Sequence, residues 1–310
     1  MYFLGVDGGQ SSTTAVIGDE TGRILGRGEA GPCNHVESEA GRAKLEAAVA
    51  ASVAAAARAA GLVEPVEFAA ACCGMSGGPA DKRDLIASLV RARQLEVTDD
   101  ARIALWGATA GGAGIIVIAG TGSIAFGRDA RGRLARAGGW GYIFGDEGSG
   151  FDIARQALRA ALRQEEGWGP PTSLGQRLLE VTGAGTANEL LHLFYTRDYP
   201  RDRVAAFAPL VDAAGDAGDA VAQEILRGAA RSLAELARSV QARLFSPGEG
   251  VYISPIGGVF RSPLVARSFR DLVEREPGSV VGAPKHDPAC GALLLAYEAA
   301  GILLRDLRLL

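Results

Sequence analysis

One short pattern occurs twice in this chain. Residues 4–27 run as an apolar strand, a turn of small and hydroxyl residues, a second strand, a D-x-x-G-R turn and a third strand. Residues 116–136 repeat that order with a shorter first turn, so the likeness is one of structure and not of letters. A three-stranded start cannot cover its own apolar faces and needs helices packed on it. Helical stretches follow both copies, which predicts two related α/β domains in tandem.

The helices announce themselves by their stops and starts. Residues 38–60 read as a helix capped by Ser38 and ended by Gly61. Residues 80–93 read as helical, residues 152–243 as mostly helical, and residues 287–304 as a closing helix. Asp99 and Asp100 end a strand at residues 95–98, and either can cap the helix that follows.

Composition excludes several classes. Net charge is −4, from 32 basic and 36 acidic residues, which argues against nucleic acid or an anionic membrane as the partner. The most apolar helical stretch, residues 47–60, is too short to span a bilayer. The first residues, MYFLGVDGGQ, lack the basic and long apolar regions of a secretory signal. The four cysteines, Cys33, Cys72, Cys73 and Cys290, have no C-x-x-C spacing and only three histidines to help them. They read as buried thiols of a cytoplasmic protein, not as a metal site or a disulfide framework.

The turns carry the chemistry. In the first, Asp7 ends a strand and Gly8, Gly9, Ser11, Ser12 and Thr13 follow. Glycine lets backbone N–H groups approach a ligand, hydroxyls add donors, and the set suits phosphate oxygens; Asp7 suits a hydrated Mg²⁺. A plain β-hairpin is the other reading. The second turn, Gly120, Thr121, Gly122 and Ser123, offers the same donors. Two such turns on duplicated units point to a polyphosphate. Asp100, at a strand end, suits a general base for a hydroxyl, unless it is the helix cap. The segment 138–150 is dense in glycine, aromatics and acids. There Trp140 can stack on a sugar ring and Asp146 can accept from ring hydroxyls, or Trp140 is core.

Other signatures are missing or incomplete. No glycine is followed by lysine, so there is no P-loop, and no H-R-D or D-F-G occurs. No G-x-G-x-x-G opens a helix after the first strand. Residues 74–78 do match G-x-S-x-G, which makes Ser76 a candidate hydrolase nucleophile with His286 as a late histidine.

Taken together, the turn at Asp7–Thr13, Asp100, G-T-G-S at 120–123, G-G-W-G through G-D-E-G-S-G at 138–150, Gly257-Gly258-Val259 and Gly291-Ala292 resemble the N-acetylglucosamine kinases and the related BadF/BadG ATPases. These belong to the actin-like ATPase superfamily. The resemblance implies an α/β protein of two tandem RNase H-like domains flanking a nucleotide cleft. It divides the chain into residues 1–111, rejoined by the last helix at about 290–305, and residues 112–289 with a helical insertion. It implies ATP with Mg²⁺, bound through Asp7, Gly8, Gly9, Ser11, Ser12, Thr13, Gly120, Thr121, Gly122, Gly257 and Gly258. It implies an amino sugar bound through Asn34, Ser76, Gly77, Asp100, Thr121, Ser123, Gly139, Trp140 and Asp146, with Asp100 deprotonating the sugar 6-hydroxyl. A homodimer is implied too. Ile124 follows G-T-G-S where animal N-acetylglucosamine kinases carry a polar residue. N-acetylmuramic acid, N-acetylmannosamine, glucosamine and glucose therefore stay open as acceptors. The alternative within the resemblance is an activator-type ATPase of 2-hydroxyacyl-CoA dehydratases, which turns over ATP without a sugar.

Overall fold

The computed structural model describes the chain apart from residues 10, 34–37, 64, 305–306 and 309–310. The chain parts into two compact units, residues 1–114 with 283–310, and residues 115–282.

The first unit opens with β1 (Tyr2–Gly8), β2 (Thr13–Asp19) and β3 (Ile24–Ala30), each antiparallel to the next. Then come α1 (Glu39–Ala59), β4 (Phe68–Met75), α2 (Arg83–Leu89), β5 (Ala92–Asp99) and α3 (Asp100–Thr109). The sheet order is β3-β2-β1-β4-β5, and β1, β4 and β5 run parallel. The central strand is buried on both faces, and Phe3, Leu4 and Val6 are at most 1% exposed. On one face lies α1, whose side toward the sheet is built from Leu45, Ala48, Val49, Ser52, Ala56 and Ala57. Small residues here bring backbone to backbone: a Cβ on Gly26 or Gly28 of β3 would overlap the Ala56 or Ser52 carbonyl oxygen. On the other face lies the closing helix, Pro288–Ala299, the eleventh in chain order (α11). Gly291 sits so tightly against α3 that a Cβ would overlap the Ile103 carbonyl. Tyr297 of α11 donates to the Asp19 carbonyl at 2.5 Å and packs its ring 4.5 Å from that of Phe3.

The second unit repeats the scheme. Its strands are β6 (Gly114–Ala119), β7 (Ser123–Arg128), β8 (Leu134–Gly138), β9 (Val251–Ile256) and β10 (Ser279–Val281), in the order β10-β9-β6-β7-β8. Counted within each unit, both sheets run third, second, first, fourth, fifth. Between β8 and β9 the chain makes α4 (Gly150–Glu165), α5 (Leu174–Thr182), α6 (Ala187–Phe194), α7 (Arg201–Ala205), α8 (Ala208–Asp216) and α9 (Ala220–Leu244). A short 3₁₀ turn (Gly258–Arg261) and α10 (Pro263–Val273) precede β10. The core of this unit joins sheet residues such as Ile115, Val117 and Ile253 to Leu226, Leu233 and Val240 of α9.

Three expectations need adjustment. The helix read at residues 80–93 is only α2, because β5 already begins at Ala92. The strand pairing of Phe68 with Ala92 claims those residues for the sheet. The closing helix is shorter than residues 287–304 and starts after Asp287, which caps it. The return to the first unit begins at residue 283 and not near 290. The amides of Lys285 and His286 already donate to the Ala108 and Gly107 carbonyls of α3. Among the described residues no helix is long and apolar enough to cross a membrane.

Candidate active site

In the first unit, register gathers the chemistry at one edge. Gly8 of β1 lies beside Met75 of β4, and Met75 beside Asp99 of β5. Asp7, Ser76 and Asp100 therefore stand at the carboxyl ends of three adjacent parallel strands, the edge where open α/β sheets bind ligands.

The structure separates the two neighbouring acids. Asp99 is the cap of α3, accepting from the Arg102 amide at 2.8 Å. Asp100 is not that cap; one of its oxygens accepts from the Ser76 hydroxyl at 3.0 Å, and the amides of Ala101 and of Asp100 itself also engage the carboxylate. Desolvation by the atoms around it raises the Asp100 carboxyl above the ordinary carboxylate range; Ser76 pulls against this and the Asp99 charge adds to it. Burial pushes Asp7 up to about 6, with the charges of Asp100 and Asp287 adding and that of Arg27 opposing. Asp287, against its own desolvation, is held low by the Cys290 amide and by Arg27, to which it is ion-paired.

The Ser76 hydroxyl thus engages a carboxylate. A nucleophile elbow also needs its helix directly behind the serine, and α2 starts only at Arg83. The hydrolase reading falls on both counts. Between Ser76 and α2 the loop passes Gly77, at φ +79°, and is tied down by Lys82. The Lys82 side chain is buried, and Nζ donates to the Gly78 carbonyl at 3.0 Å and to Asp81 at 2.9 Å. Sequence reading passed over Lys82, although its rarity was a signal: Lys44, Lys82 and Lys285 are the only lysines among 32 basic residues.

The first turn is less open than its letters imply. The Thr13 hydroxyl donates to the Gly31 carbonyl at 2.9 Å, and the Gly9 amide to the Ser12 carbonyl at 3.0 Å. Gly8 is a paired strand residue with Met75 and Cys33 against it. The Thr13 hydroxyl and the Gly9 amide therefore help to build the turn. Ser11 and Ser12 are exposed. Asn34 lies outside the described residues. The four cysteines are buried free thiols, with burial raising each of them.

The second unit places its turn in the same way. Ile118 pairs with Ile256, so the ends of β6 and β9 adjoin. Gly257, at φ +109°, has the Ala119 backbone where a Cβ would stand, so this position admits only glycine. The Gly120 amide donates to the Gly122 carbonyl at 2.9 Å, and the Gly120 carbonyl accepts from the Gly150 amide at 2.8 Å. Among the described residues the Thr121 and Gly122 amides donate to no protein acceptor. A cavity of about 530 Å³ opens here, lined by Gly120, Thr121, Asp202, Asp212, Gly258 and Arg261, among others. Its size is that of a small-molecule site. Asp212 accepts from the Ser262 hydroxyl on its wall.

The segment after β8 is held from below. The Ser123 hydroxyl donates to the Glu147 carbonyl at 2.7 Å, and the Gly139 amide to the Ser123 carbonyl at 3.0 Å. Trp140 is 65% exposed, which removes the core reading, and the Arg136 guanidinium lies 4.9 Å from its ring centre. Asp146 departs from expectation. It is 3% exposed, its backbone is left-handed at φ +62°, and its carboxylate is engaged: one oxygen accepts from the Ser123 amide at 3.1 Å, the other pairs with Arg201. Nothing in the sequence around Arg201 signalled this partner.

The sequence profile of the BadF/BadG/BcrA/BcrD ATPase family matches residues 4–296. An N-acetylmuramic acid/N-acetylglucosamine kinase of Clostridium acetobutylicum is 35% identical over 237 residues, 74% of this chain and 78% of that protein. An N-acetyl-D-glucosamine kinase of Dictyostelium discoideum is 30% identical, over 96% of this chain and 98% of its own. Among solved structures, a provisionally assigned N-acetylglucosamine kinase from Chromobacterium violaceum is 28% identical with a TM-score of 0.74, covering 95% of this chain and 98% of its own. A glucokinase of the ROK family from Streptomyces griseus, at 22% identity and TM-score 0.55 over 97% of this chain and 100% of its own, shares the fold.

Proposed function

Because the chain belongs to the BadF/BadG/BcrA/BcrD ATPase family, we propose that it is an ATP-dependent kinase of N-acetylated amino sugars, with N-acetylglucosamine or N-acetylmuramic acid as acceptor and the 6-hydroxyl as the phosphorylated group. The observation that carries this reading is the division of labour between two adjacent acids: Asp99 caps α3, whereas Asp100 stands with Ser76 at the strand edge, where a substrate hydroxyl can meet it. A carboxylate so placed can take a proton from a sugar hydroxyl or from water, and the kinases among the relatives favour the sugar.

In this reading Asp100 takes the proton of the 6-hydroxyl as that oxygen attacks the γ-phosphorus. The bond from phosphorus to the β,γ-bridging oxygen breaks, and ADP leaves with that electron pair. A raised carboxyl suits the role, since a base works best when its pKa approaches the working pH. Ser76 orients Asp100 by donating to its other oxygen. The Thr121 and Gly122 amides hold phosphate oxygens, and the glycines at 257 and 258 let the nucleoside approach backbone. Trp140 offers an exposed face for the sugar ring.

Mg²⁺ fits Asp7. Among the described residues no group of three acids, histidines or cysteines forms a metal cage. A single carboxylate, raised by burial and further by the charges of Asp100 and Asp287, is the protein share expected for a magnesium carried mainly by a nucleotide's phosphates. The ion would neutralise phosphate charge there. The same reading carries a cytosolic homodimer, which light scattering on the purified protein checks.

The test is ADP release from ATP with Mg²⁺ over a panel of N-acetylglucosamine, N-acetylmuramic acid, N-acetylmannosamine, glucosamine and glucose. Stimulation by an N-acetylated sugar, with product phosphorylated at the 6-position, is expected. ATP turnover indifferent to every sugar would instead move the chain to the sugar-independent ATPases.

A further inference from the structure

Deepening the kinase reading and resting on it, we propose that Arg201 is a positioning residue: its guanidinium locks the carboxylate of Asp146 against the turn at residues 120–123, so that the acceptor loop and the phosphate turn are held as one piece.

Arg201 is the first residue of α7, directly after Pro200. It reaches a buried acid that stands in the left-handed region, a conformation that costs a non-glycine residue roughly 1 kcal/mol or more and persists only where surroundings enforce it. Two groups enforce it here: the Ser123 amide on one carboxylate oxygen and Arg201 on the other. The same guanidinium presses on the phosphate turn. At Gly122 an added Cβ would overlap Arg201 Nη2 and come within 2.9 Å of Asp146 Oδ1. One guanidinium therefore touches both the acid of the acceptor loop and the glycine whose amide is left open for phosphate.

The pair is a poor device for stability. Arg201 Nε is buried without a hydrogen-bond partner among the described residues, and a buried ion pair with an orphaned donor gains little over an apolar substitute. What it supplies is orientation. The Arg201 guanidinium also lies 5.7 Å from the ring centre of Tyr142, a residue of the same loop. A shift of α7 would move Asp146, Ser123 and Gly122 together.

The experiment compares Arg201→Gln, Arg201→Lys, Asp146→Asn and the Asp146→Asn/Arg201→Gln double variant. KM and kcat are read with N-acetylglucosamine and ATP, nucleotide affinity by titration of a non-hydrolysable ATP analogue, and folding by thermal melting. Losing a charged hydrogen bond that orients a group predicts a roughly ten- to hundred-fold rise in acceptor KM for Arg201→Gln, with weaker analogue binding alongside. Arg201→Lys should recover part of both, and the double variant should be no worse than the worse single one. The proposal is overturned if Arg201→Gln changes only the melting temperature, or if the two single effects add in full. Should the wild type respond to no sugar, the kinase reading fails by itself. Unaltered analogue binding in a folded Arg201→Gln would then overturn the link to the phosphate turn independently.

Discussion

The two units share one sheet order and use it differently. At the strand edge of the first, the groups are acids: Asp7, Asp100 and Asp287, with Arg27 as the opposing charge. At the corresponding edge of the second, the groups are amides and glycines around a cavity; Asp146 and Asp212 are engaged by Arg201 and Ser262, which leaves Asp202 as the exposed acid of the cavity wall. The connections differ in parallel. One helix, α1, joins the third and fourth strands of the first unit, whereas six helices fill that place in the second. In the proposed reading, a duplicated scaffold is divided into a half that handles protons and cations and a half that grips anions. Each edge inherits its position from the fold and its charge from a few residues.

The sharpest way to break that division is at Asp100. Asparagine keeps the shape and the Ser76 contact but cannot take a proton. General-base removal of this kind predicts a fall in kcat of about a thousand-fold, close to 4 kcal/mol, with analogue binding unchanged. An intact rate in Asp100→Asn, measured by sugar-stimulated ADP release, would place the base elsewhere.

Glycines separate the units next. Gly291→Ala puts a methyl into the Ile103 carbonyl, forcing α11 and α3 apart in the first unit, and should destabilise by about 3 kcal/mol. Gly120→Ala meets nothing within 4 Å. Its methyl enters open space at the cavity, so stability should change by less than about 0.5 kcal/mol while analogue affinity falls. Urea unfolding and analogue titration on both variants check the contrast; equal destabilisation would erase it.

The third test is pH. Asp7 is raised from 3.8 to about 6 in the folded protein. A carboxyl that binds its proton more tightly when folded adds stability below pH 4, and that contribution is lost as pH rises through 6. The loss amounts to about 2–3 kcal/mol at one pKa unit per 1.36 kcal/mol. Without magnesium or nucleotide, Asp7→Asn should therefore be more stable than wild type at pH 7, equal to it near pH 4, and inactive as a kinase. Stability curves from urea melts at pH 4, 5, 6 and 7 read this directly.

How much of this was legible beforehand differs between the halves. The duplicated start announced both sheets, and Ser38 and Gly61 bracketed α1, because turn and cap chemistry is local. Asp100 was visible as an acid at a strand end, but its choice over Asp99 was not, since either side chain can reach the helix amides. The partner of Thr13 was hidden for a related reason: its hydroxyl donates to a distant carbonyl, that of Gly31. Arg201 was invisible, being 55 residues from the Asp146 it serves. Contacts that depend on three intervening helices leave no trace in short spacing.

The smallest effects concern helix caps, and they test whether the helical insertion is a separate stability element or an ornament on the second sheet. Ser38 makes one cap contact, accepting from the Gly41 amide at 3.1 Å, so Ser38→Ala should cost about 1 kcal/mol. Asp219 does more. It caps α9 through the Val221 and Ala222 amides, and its second oxygen accepts from the Thr172 hydroxyl and from the amide and hydroxyl of Ser173, ahead of α5. Against its desolvation, these bonds hold its carboxyl below the ordinary range, so its contribution is present at neutral pH and fades as pH falls below the usual carboxylate value. Asp219→Ala should cost about 2 kcal/mol and loosen both helix starts together. Hydrogen exchange resolved by peptide separates the outcomes. Faster exchange confined to residues 170–245 would make the insertion its own cooperative element, whereas faster exchange spreading into β6 and β9 would show that the insertion and the phosphate-turn sheet open as one.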